Sequence, residues 1–471
     1  MLKLRQALNQ PIDTASLAIF RILFGTLMCV EMLRYLCSGW IARYYIYPLF
    51  HFPYYGFDFI HPLPAVGMYC LFSLMLLLSL GIALGRYYRI SCGLFLLGFL
   101  YIFLLEKARY LNHFYVVLLF LLGLWVSPLD RLLSLDVRTG RVKRADTIAA
   151  WPLYLFRGLI IVVYVYAGIA KLNTDWLNGQ PLGLWFSSRE ELFLLGPLLA
   201  QPSAALFASY AGVVLDLLVS PLLLLKRTRP WALGALTLFH LSNAFIFSIG
   251  IFPWMMIAAN LLFLDPTWPR QLPTVVNPWI SPLGLESKSS PALDVSTKIS
   301  TPGTLLLLGF TTLQLLIPLR HHLYPGDVAW TEEGHRYSWR MKLRSKKGRP
   351  EFYVRQQGET EKTRVYLPRY LTRKQIKKMA CVPDMLVSFA HFLHDNIRES
   401  GEFFRPPQAK GEGPLRSRIS ETGEVEIYAR TPCSLNGHEK SLLLDPSTNL
   451  ATVEDSLWPK PWILAQGAIT E

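Results

Sequence analysis

Apolar residues in this chain gather into long unbroken runs rather than the in-out alternation of a half-buried strand. At roughly 20 residues per bilayer-crossing helix, the runs predict about nine spans, near residues 15–36, 65–85, 89–105, 110–128, 150–172, 203–225, 230–249, 251–264 and 303–320. The eighth is short. Beyond about residue 321 the pattern changes to charges, prolines and brief period-two stretches. From Ser338 to Lys346 the alternation predicts a strand with Arg340, Lys342 and Arg344 on one face and Trp339, Met341 and Leu343 on the other. Lys347-Gly348-Arg349-Pro350 predicts a turn into a second strand, Glu351 to Val354, and Asn436-Gly437 a hairpin turn after Glu424 to Arg430. Between them, Asp384 to His394 has helical spacing with Asp384 as its cap. The expected architecture is therefore an α-helical polytopic membrane bundle over 1–320 and a mainly β extramembrane domain over 321–471, with the Pro- and Ser-rich stretch 265–302 as connector. No period of 20 to 50 residues repeats.

Composition agrees with that pattern. Hydrophobic residues make up 52% of 471, and the mean hydropathy is +0.30. The formal charge of +14 collects in short loops and in the C-terminal third. Lys3 and Arg5, then Arg86 and Arg89, then Arg138 to Arg144, then Lys226 to Arg229 mark alternate loops as cytoplasmic, while Asp58, Glu106, Asp175, Glu190 and Glu191 fall in the others. The positive-inside rule then puts the N-terminus in the cytoplasm and exports the C-terminal domain. The first apolar segment, lacking a cleavage site, is expected to stay as an anchor. The basic excess suits anionic lipid headgroups, and no nucleic-acid motif accompanies it. Six cysteines without zinc or C-x-x-C spacing give no support to a metal site.

Polar residues inside apolar helices carry the candidate chemistry. Lys171 ends the fifth run, in Tyr164-Val-Tyr-Ala-Gly-Ile-Ala-Lys171-Leu-Asn-Thr-Asp175-Trp176. An ammonium there either snorkels to the interface or serves a function. The topology puts Asn112 and His113 at the same outer depth, with Glu31 and Arg34 at that level as a local i, i+3 pair. Asp216 and His240 fall nearer mid-span. Taken alone, Asp216 reads as a buried structural acceptor, and His240 with Asn243 as interhelical glue.

These motifs together resemble the vitamin K-dependent γ-carboxylases and their bacterial relatives, within the horizontally transferred transmembrane domain superfamily. Lys171-Leu-Asn-Thr-Asp175-Trp176 looks like the family's K-L-x-x-D-W segment, and Asn112-His113 like its N-H pair. Phe239-His240-Leu-Ser-Asn243 leading to Phe247-Ser-Ile-Gly250-Ile-Phe-Pro253 is similar to F-H-x-x-N...F-S-I-G-x-F. Asp265-Pro-Thr-Trp268-Pro269, Tyr337-Ser-Trp339 and Ser434-Leu-Asn436-Gly437 follow in the family's order.

The resemblance implies an enzyme that uses vitamin K hydroquinone, O2 and CO2. The hydroquinone is deprotonated and oxygenated to the epoxide, and this oxidation drives carboxylation of a peptidyl glutamate. Lys171 would be the base, assisted by His113 and Asn112, since burial disfavours an ammonium and a lysine, unlike an arginine, can lose its proton. Tyr164, His240 and Asn243 would line the quinone pocket. Tyr337, Trp339, Arg340, Arg344 and His438 would receive the glutamyl carboxylate of a peptide arriving on the exoplasmic side, in a multi-pass protein of a bacterial inner membrane. Three positions depart from the family pattern. Ala170 stands where animal members have a second lysine, Arg344 where they have histidine, and His438 where other members often have arginine. Quinone epoxidation without carboxylation, and a non-catalytic quinone- or lipid-binding membrane protein, stay open as alternatives.

Overall fold

The computed structural model describes residues 1–189, 191, 196–247, 249–271, 294–356, 359–409, 412–419 and 424–468. Glu190, Ser248 and most of the connector lie outside the described residues. Among the described residues nine apolar helices follow one another. They are α1 (Ala15–Cys37), α2 (Ala65–Leu84), α3 (Tyr88–Leu105), α4 (Asn112–Val126), α5 (Trp151–Ala170), α6 (Pro202–Leu224), α7 (Arg229–Phe247), α8 (Phe252–Asn260) and α9 (Thr301–Leu316). Seven are long and apolar enough to cross a membrane, α9 when its 3-10 continuation Ile317–Leu323 is included. The fourth as well as the eighth falls short, with 15 and 9 residues. The fourth is shortened because Glu106 caps a separate 3-10 turn, Lys107–Arg109, and Leu111 is extended before α4 begins.

Packing explains the order of the bundle. Helix α1 lies at its centre with Phe20 and Phe24 almost wholly buried, and Phe20 packs edge-on against Phe120 and Phe156 at 5.6 and 5.0 Å. Arg21, fully buried on α1, donates to Ile82 and Ala83 O at 2.7 Å each and to Leu133 O at 2.6 Å. It thereby satisfies carbonyls at the C-terminal end of α2 that have no intrahelical partner. Helices α7 and α9 are only 17% buried by the protein, so they form the lipid-facing rim. A small antiparallel pair, β1 (Pro11–Asp13) and β2 (Thr147–Ala149), ties the start of α1 to the start of α5.

The extramembrane domain is built on short antiparallel sheets. Strand β3 (Lys346–Gly348), β9 (Pro432–Leu435) and β10 (Ser441–Leu442) make one, in the order β10-β9-β3. Strand β4 (Glu351–Gln356), β5 (Thr363–Arg364) and β8 (Val425–Arg430) make another, and β6 (Glu402–Arg405) pairs with β7 (Leu415–Arg418). Helix α10 (Arg373–Met379) carries a Thr372–Gln375 capping box. Helix α11 (Pro383–Ser400) lays Phe389 edge-on against Phe352 of β4 at 5.0 Å. Cys381 and Cys433 form a disulfide across 52 residues, joining the loop before α11 to β9, a pairing that cysteine spacing did not reveal.

Three sequence expectations are corrected here. Ser338 to Lys346 is irregular until β3 begins, because Tyr337, Trp339 and Lys342 all have left-handed backbones, with φ of 63°, 56° and 56°, that break a ladder. Lys347 and Gly348, expected in a turn, lie in β3 and pair with Ser434 and Cys433 of β9, whereas Asn436-Gly437 does form a hairpin turn, joining β9 to β10. Asp384 is not a cap. It lies in the first turn of α11, bonded by Arg336 at 2.6 Å and Lys107 at 3.1 Å.

Candidate active site

The local sequence around Lys171 folds as a helix stop, a turn and a restart. Asn173 does both jobs: its Nδ2 donates to Ala170 O at 2.9 Å, closing α5, and its Oδ1 accepts from Trp176 N at 3.0 Å, capping the helical turn Thr174–Leu177. Trp176 is locked to α6 by Nε1 donating to Ser209 O at 2.9 Å and by Ser209 Oγ donating to the Trp176 carbonyl. This fixes Lys171 as the C-cap of α5, 6% exposed and facing α6.

One glycine lets the helices meet there, and a second faces the lysine stem. A Cβ on Gly168 would lie 2.8 Å from Leu217 Cδ2 and 3.1 Å from Leu217 N, so α5 and α6 approach too closely for alanine. One turn before Asp216, Gly212 leaves room for the lysine stem, whose Cε is 3.8 Å from where a Cβ would sit. The ammonium then has three contacts. It is 2.5 Å from Asp216 Oδ2, 3.2 Å from Ala167 O and 5.4 Å from the centre of the Trp176 ring. Only 7% of the Lys171 side chain and 3% of the Asp216 side chain are exposed, so the pair is inside the protein and not at its surface. The sequence reading put Asn112 and His113 beside Lys171; the partner in contact is Asp216.

Three of the other polar residues form one hydrogen-bonded group. Tyr164 Oη is 2.8 Å from His240 Nε2 and accepts from Asn260 Nδ2 at 2.8 Å. The rings of His113 and His240 both lie against Phe252, with centroids 5.5 and 6.2 Å away. Asn112 Oδ1 accepts from Tyr110 Oη at 2.8 Å. Asn243 bonds the Phe239 carbonyl on its own helix at 2.9 Å, so no contact joins it to the Tyr164 group. Sequence reasoning missed Asn260, whose signal was only an amide ending an apolar helix.

Residues of the extramembrane domain close the mouth of the bundle. Tyr337 N donates to Tyr110 Oη at 2.5 Å, and its ring meets Tyr115 at 4.9 Å. Trp339, 1% exposed, stacks on Tyr115 at 5.2 Å and belongs to the core of the membrane bundle. Leu343 packs with Ala170 and Trp176. Asp175 receives Asn436 Nδ2 at 2.8 Å and His438 Nε2 at 2.9 Å. A cleft of about 230 Å³ remains at this joint, lined by Asn173, Thr174, Asp175, Asp327, Arg340 and Asn436 among others.

The cations are unevenly committed. Arg344 and Lys346 both ion-pair with Glu332, whose carboxyl they hold at about 2 despite burial. His438 faces Asp175. Arg340, in the cleft, forms no ion pair with a described residue. Arg340 and Arg344 therefore do not act as one cationic face, because the left-handed Lys342 turns the chain between them.

Some buried polar atoms have no partner in the protein: Trp339 Nε1, Asn260 Oδ1 and Asp216 Oδ1. An unmet buried donor or acceptor is costly unless a ligand or water meets it. One of these atoms is a donor and two are acceptors, and a quinol, whose hydroxyl groups both donate and accept, is compatible with either kind. Among the described residues no cluster of metal-ligating side chains occurs.

Comparison with known proteins bears on the whole chain. The model of the HTTM domain matches residues 9–268, and that of the vitamin K-dependent gamma-carboxylase, lumenal domain, matches 300–468. No solved structure matches. The helical bundle, the strand-rich domain above it and the two matches in this order place the chain in the vitamin K-dependent gamma-carboxylase family.

Proposed function

We propose that this chain is a vitamin K-dependent γ-glutamyl carboxylase in which Lys171 takes the proton from the hydroquinone. The observation that carries this reading is the placement of a buried lysine directly below a water-accessible cleft whose wall begins two residues later, at Asn173. Vitamin K hydroquinone supplies the O2-reactive ring and hydroxyl groups. Lys171 receives the proton, and the closed mouth formed by Tyr337 and Trp339 keeps bulk water from the reacting groups. His113 and Asn112 would polarise the quinol oxygens from α4, and Tyr164, held by His240 and Asn260, would order the ring slot. Arg340 is the cation best placed to receive the glutamyl carboxylate, because its fork is uncommitted and charge-assisted pairing there is strong.

The orientation belongs to the same proposal. The Cys381–Cys433 disulfide supports an oxidising compartment for the extramembrane domain, as does the positive charge of the opposite loops. A bacterial inner membrane with a periplasmic domain fits both.

A second reading, hydroquinone epoxidation without carboxylation, is favoured by one observation: Arg344 and His438, two of the three basic side chains among the five candidate carboxylate receptors, are already engaged by Glu332 and Asp175. Hydroquinone, O2, labelled bicarbonate and a Glu-containing peptide separate the readings. Label in the peptide supports the carboxylase; epoxide without label, across a panel of peptides, supports the epoxidase. Lys171→Ala should abolish epoxide formation, with partial rescue by a small amine. Undiminished epoxide from that variant would defeat the assignment of Lys171 as the base, and absence of epoxide from the native protein would leave a binding protein.

A further inference from the structure

A base must have a lone pair, yet the geometry holds Lys171 Nζ 2.5 Å from a carboxylate oxygen of Asp216. Both members of the pair are buried, with 7% and 3% of their side chains exposed. In such surroundings the charged pair and its neutral, proton-transferred form come close in energy, because separation from water removes the usual advantage of the ions. The carboxylate is also half bare. Oδ2 holds the ammonium, while Oδ1 is buried without any partner. Among the described residues no other charge bears on Asp216. From α5 it faces Lys171 and, at longer range, Tyr164; beyond Tyr164 lie His240 of α7 and Asn260 of α8, with Ser209 and Ser220 the nearby polar side chains of α6 itself.

We infer that Asp216 is where the proton removed from the hydroquinone comes to rest, with Lys171 as its carrier; this deepens the carboxylase reading and rests on it. The quinol O–H bond breaks and an N–H bond forms at Lys171 Nζ, while one of the protons already on Nζ passes to Asp216 Oδ2. The pair starts as ammonium and carboxylate and ends as ammonium and carboxylic acid, and the single negative charge moves from Asp216 to the quinol oxygen. Charge and protons balance without an added co-reactant. The ammonium therefore remains beside the new oxyanion instead of vanishing as a free amine would. Asp216 acts through Lys171 and is a positioning residue in this sense. Its nearness to Lys171 depends on the close α5–α6 approach at Gly168.

The test uses the full chain in lipid nanodiscs. Epoxide formation from hydroquinone and O2 is followed between pH 6 and 10 in the native protein, Asp216→Asn, Asp216→Glu and Lys171→Ala. Asparagine preserves shape and still accepts from Nζ but cannot hold the proton. Its rate is expected to fall at least 100-fold near pH 7 and to climb steeply with pH as solvent takes over the role. Glutamate should restore most of the rate and the native profile. A loss of equal size at every pH in Asp216→Asn, or a native rate and profile, would overturn the proposal. Infrared difference spectra on adding hydroquinone without O2 give an independent readout. A carboxylic acid C=O band should appear in the native protein and be missing in Asp216→Asn, and absence of that band in the native protein would overturn the proposal even if Asp216→Asn fails to fold. Unchanged epoxidation by Lys171→Ala would instead overturn the underlying assignment of Lys171 as the base.

Discussion

Asn436 and Asp175 are 261 residues apart, yet Asn436 Nδ2 lies 2.8 Å from Asp175 Oδ2 across the joint between the two domains. Asn436 is 4% exposed and holds a left-handed backbone at φ 50°, a shape that asparagine tolerates better than most residues. Its Oδ1 accepts from Ser345 N at 2.7 Å, so one side chain fixes both the start of β3 and the loop beyond Lys171. Asp175→Ala should therefore loosen the joint. A hydrogen bond to a charged group contributes roughly 1.5–3 kcal/mol, so the KM for a Glu-containing peptide should rise on the order of tenfold or more. The KM for hydroquinone should change less. Equal changes in both constants, measured under saturating O2, would show that the clamp does not serve the cleft in particular.

Glu106 supplies a pH dependence at the same junction. Its carboxylate accepts from Ala108 N at 3.0 Å, Phe52 N at 3.3 Å and Gln375 Nε2 at 2.9 Å, but burial dominates and pushes its pKa up to about 7. The folded protein thus binds this proton more tightly than the unfolded chain. Stability from this group is complete below the ordinary glutamate range and is lost as pH rises through about 7. The difference is worth up to about 3 kcal/mol, at roughly 1.4 kcal/mol per pH unit. The Tm in detergent should fall between pH 5 and 8, and Glu106→Gln should flatten that slope. A slope unchanged in the variant would assign the effect elsewhere.

Gly168 offers a steric test. An alanine Cβ would press on both the side chain and the backbone nitrogen of Leu217, and overpacking of this kind costs about 1–3 kcal/mol. Gly168→Ala should lower the Tm and reduce hydroquinone oxidation together, by moving Asp216 away from Lys171. Gly158, also on α5, has nothing within 4 Å of a Cβ and provides the control. If Gly158→Ala and Gly168→Ala behave alike, close helix approach is not what sets the pair.

The helical half was legible because a bilayer leaves a blunt mark: continuous apolar runs need no partner to be recognised. Lys171 was legible for the same reason, as a charge where charge is expensive. Its partner was not. Asp216 is 45 residues away on another helix, and only the α5–α6 approach, set by Gly168, reveals which of several buried polar groups it meets. The alternation around Trp339 misled for a different reason. Period-two spacing of apolar residues also arises in an irregular segment that pushes successive side chains into a neighbouring domain, and here Trp339, Met341 and Leu343 face the bundle without forming a strand. The Cys381–Cys433 pairing depends on β9 folding back beside the start of α11, which spacing along the chain does not encode.

Trp339 belongs by sequence to one domain and by burial to the other. A chain cut between α9 and β3 would leave an indole-sized gap at the top of the bundle and would expose on the severed piece a large ring that water tolerates poorly. Neither half is then a finished unit. The membrane bundle has its lid written into a later stretch of the same chain, so the reaction chamber is sealed only once that stretch has been synthesised and folded down onto it.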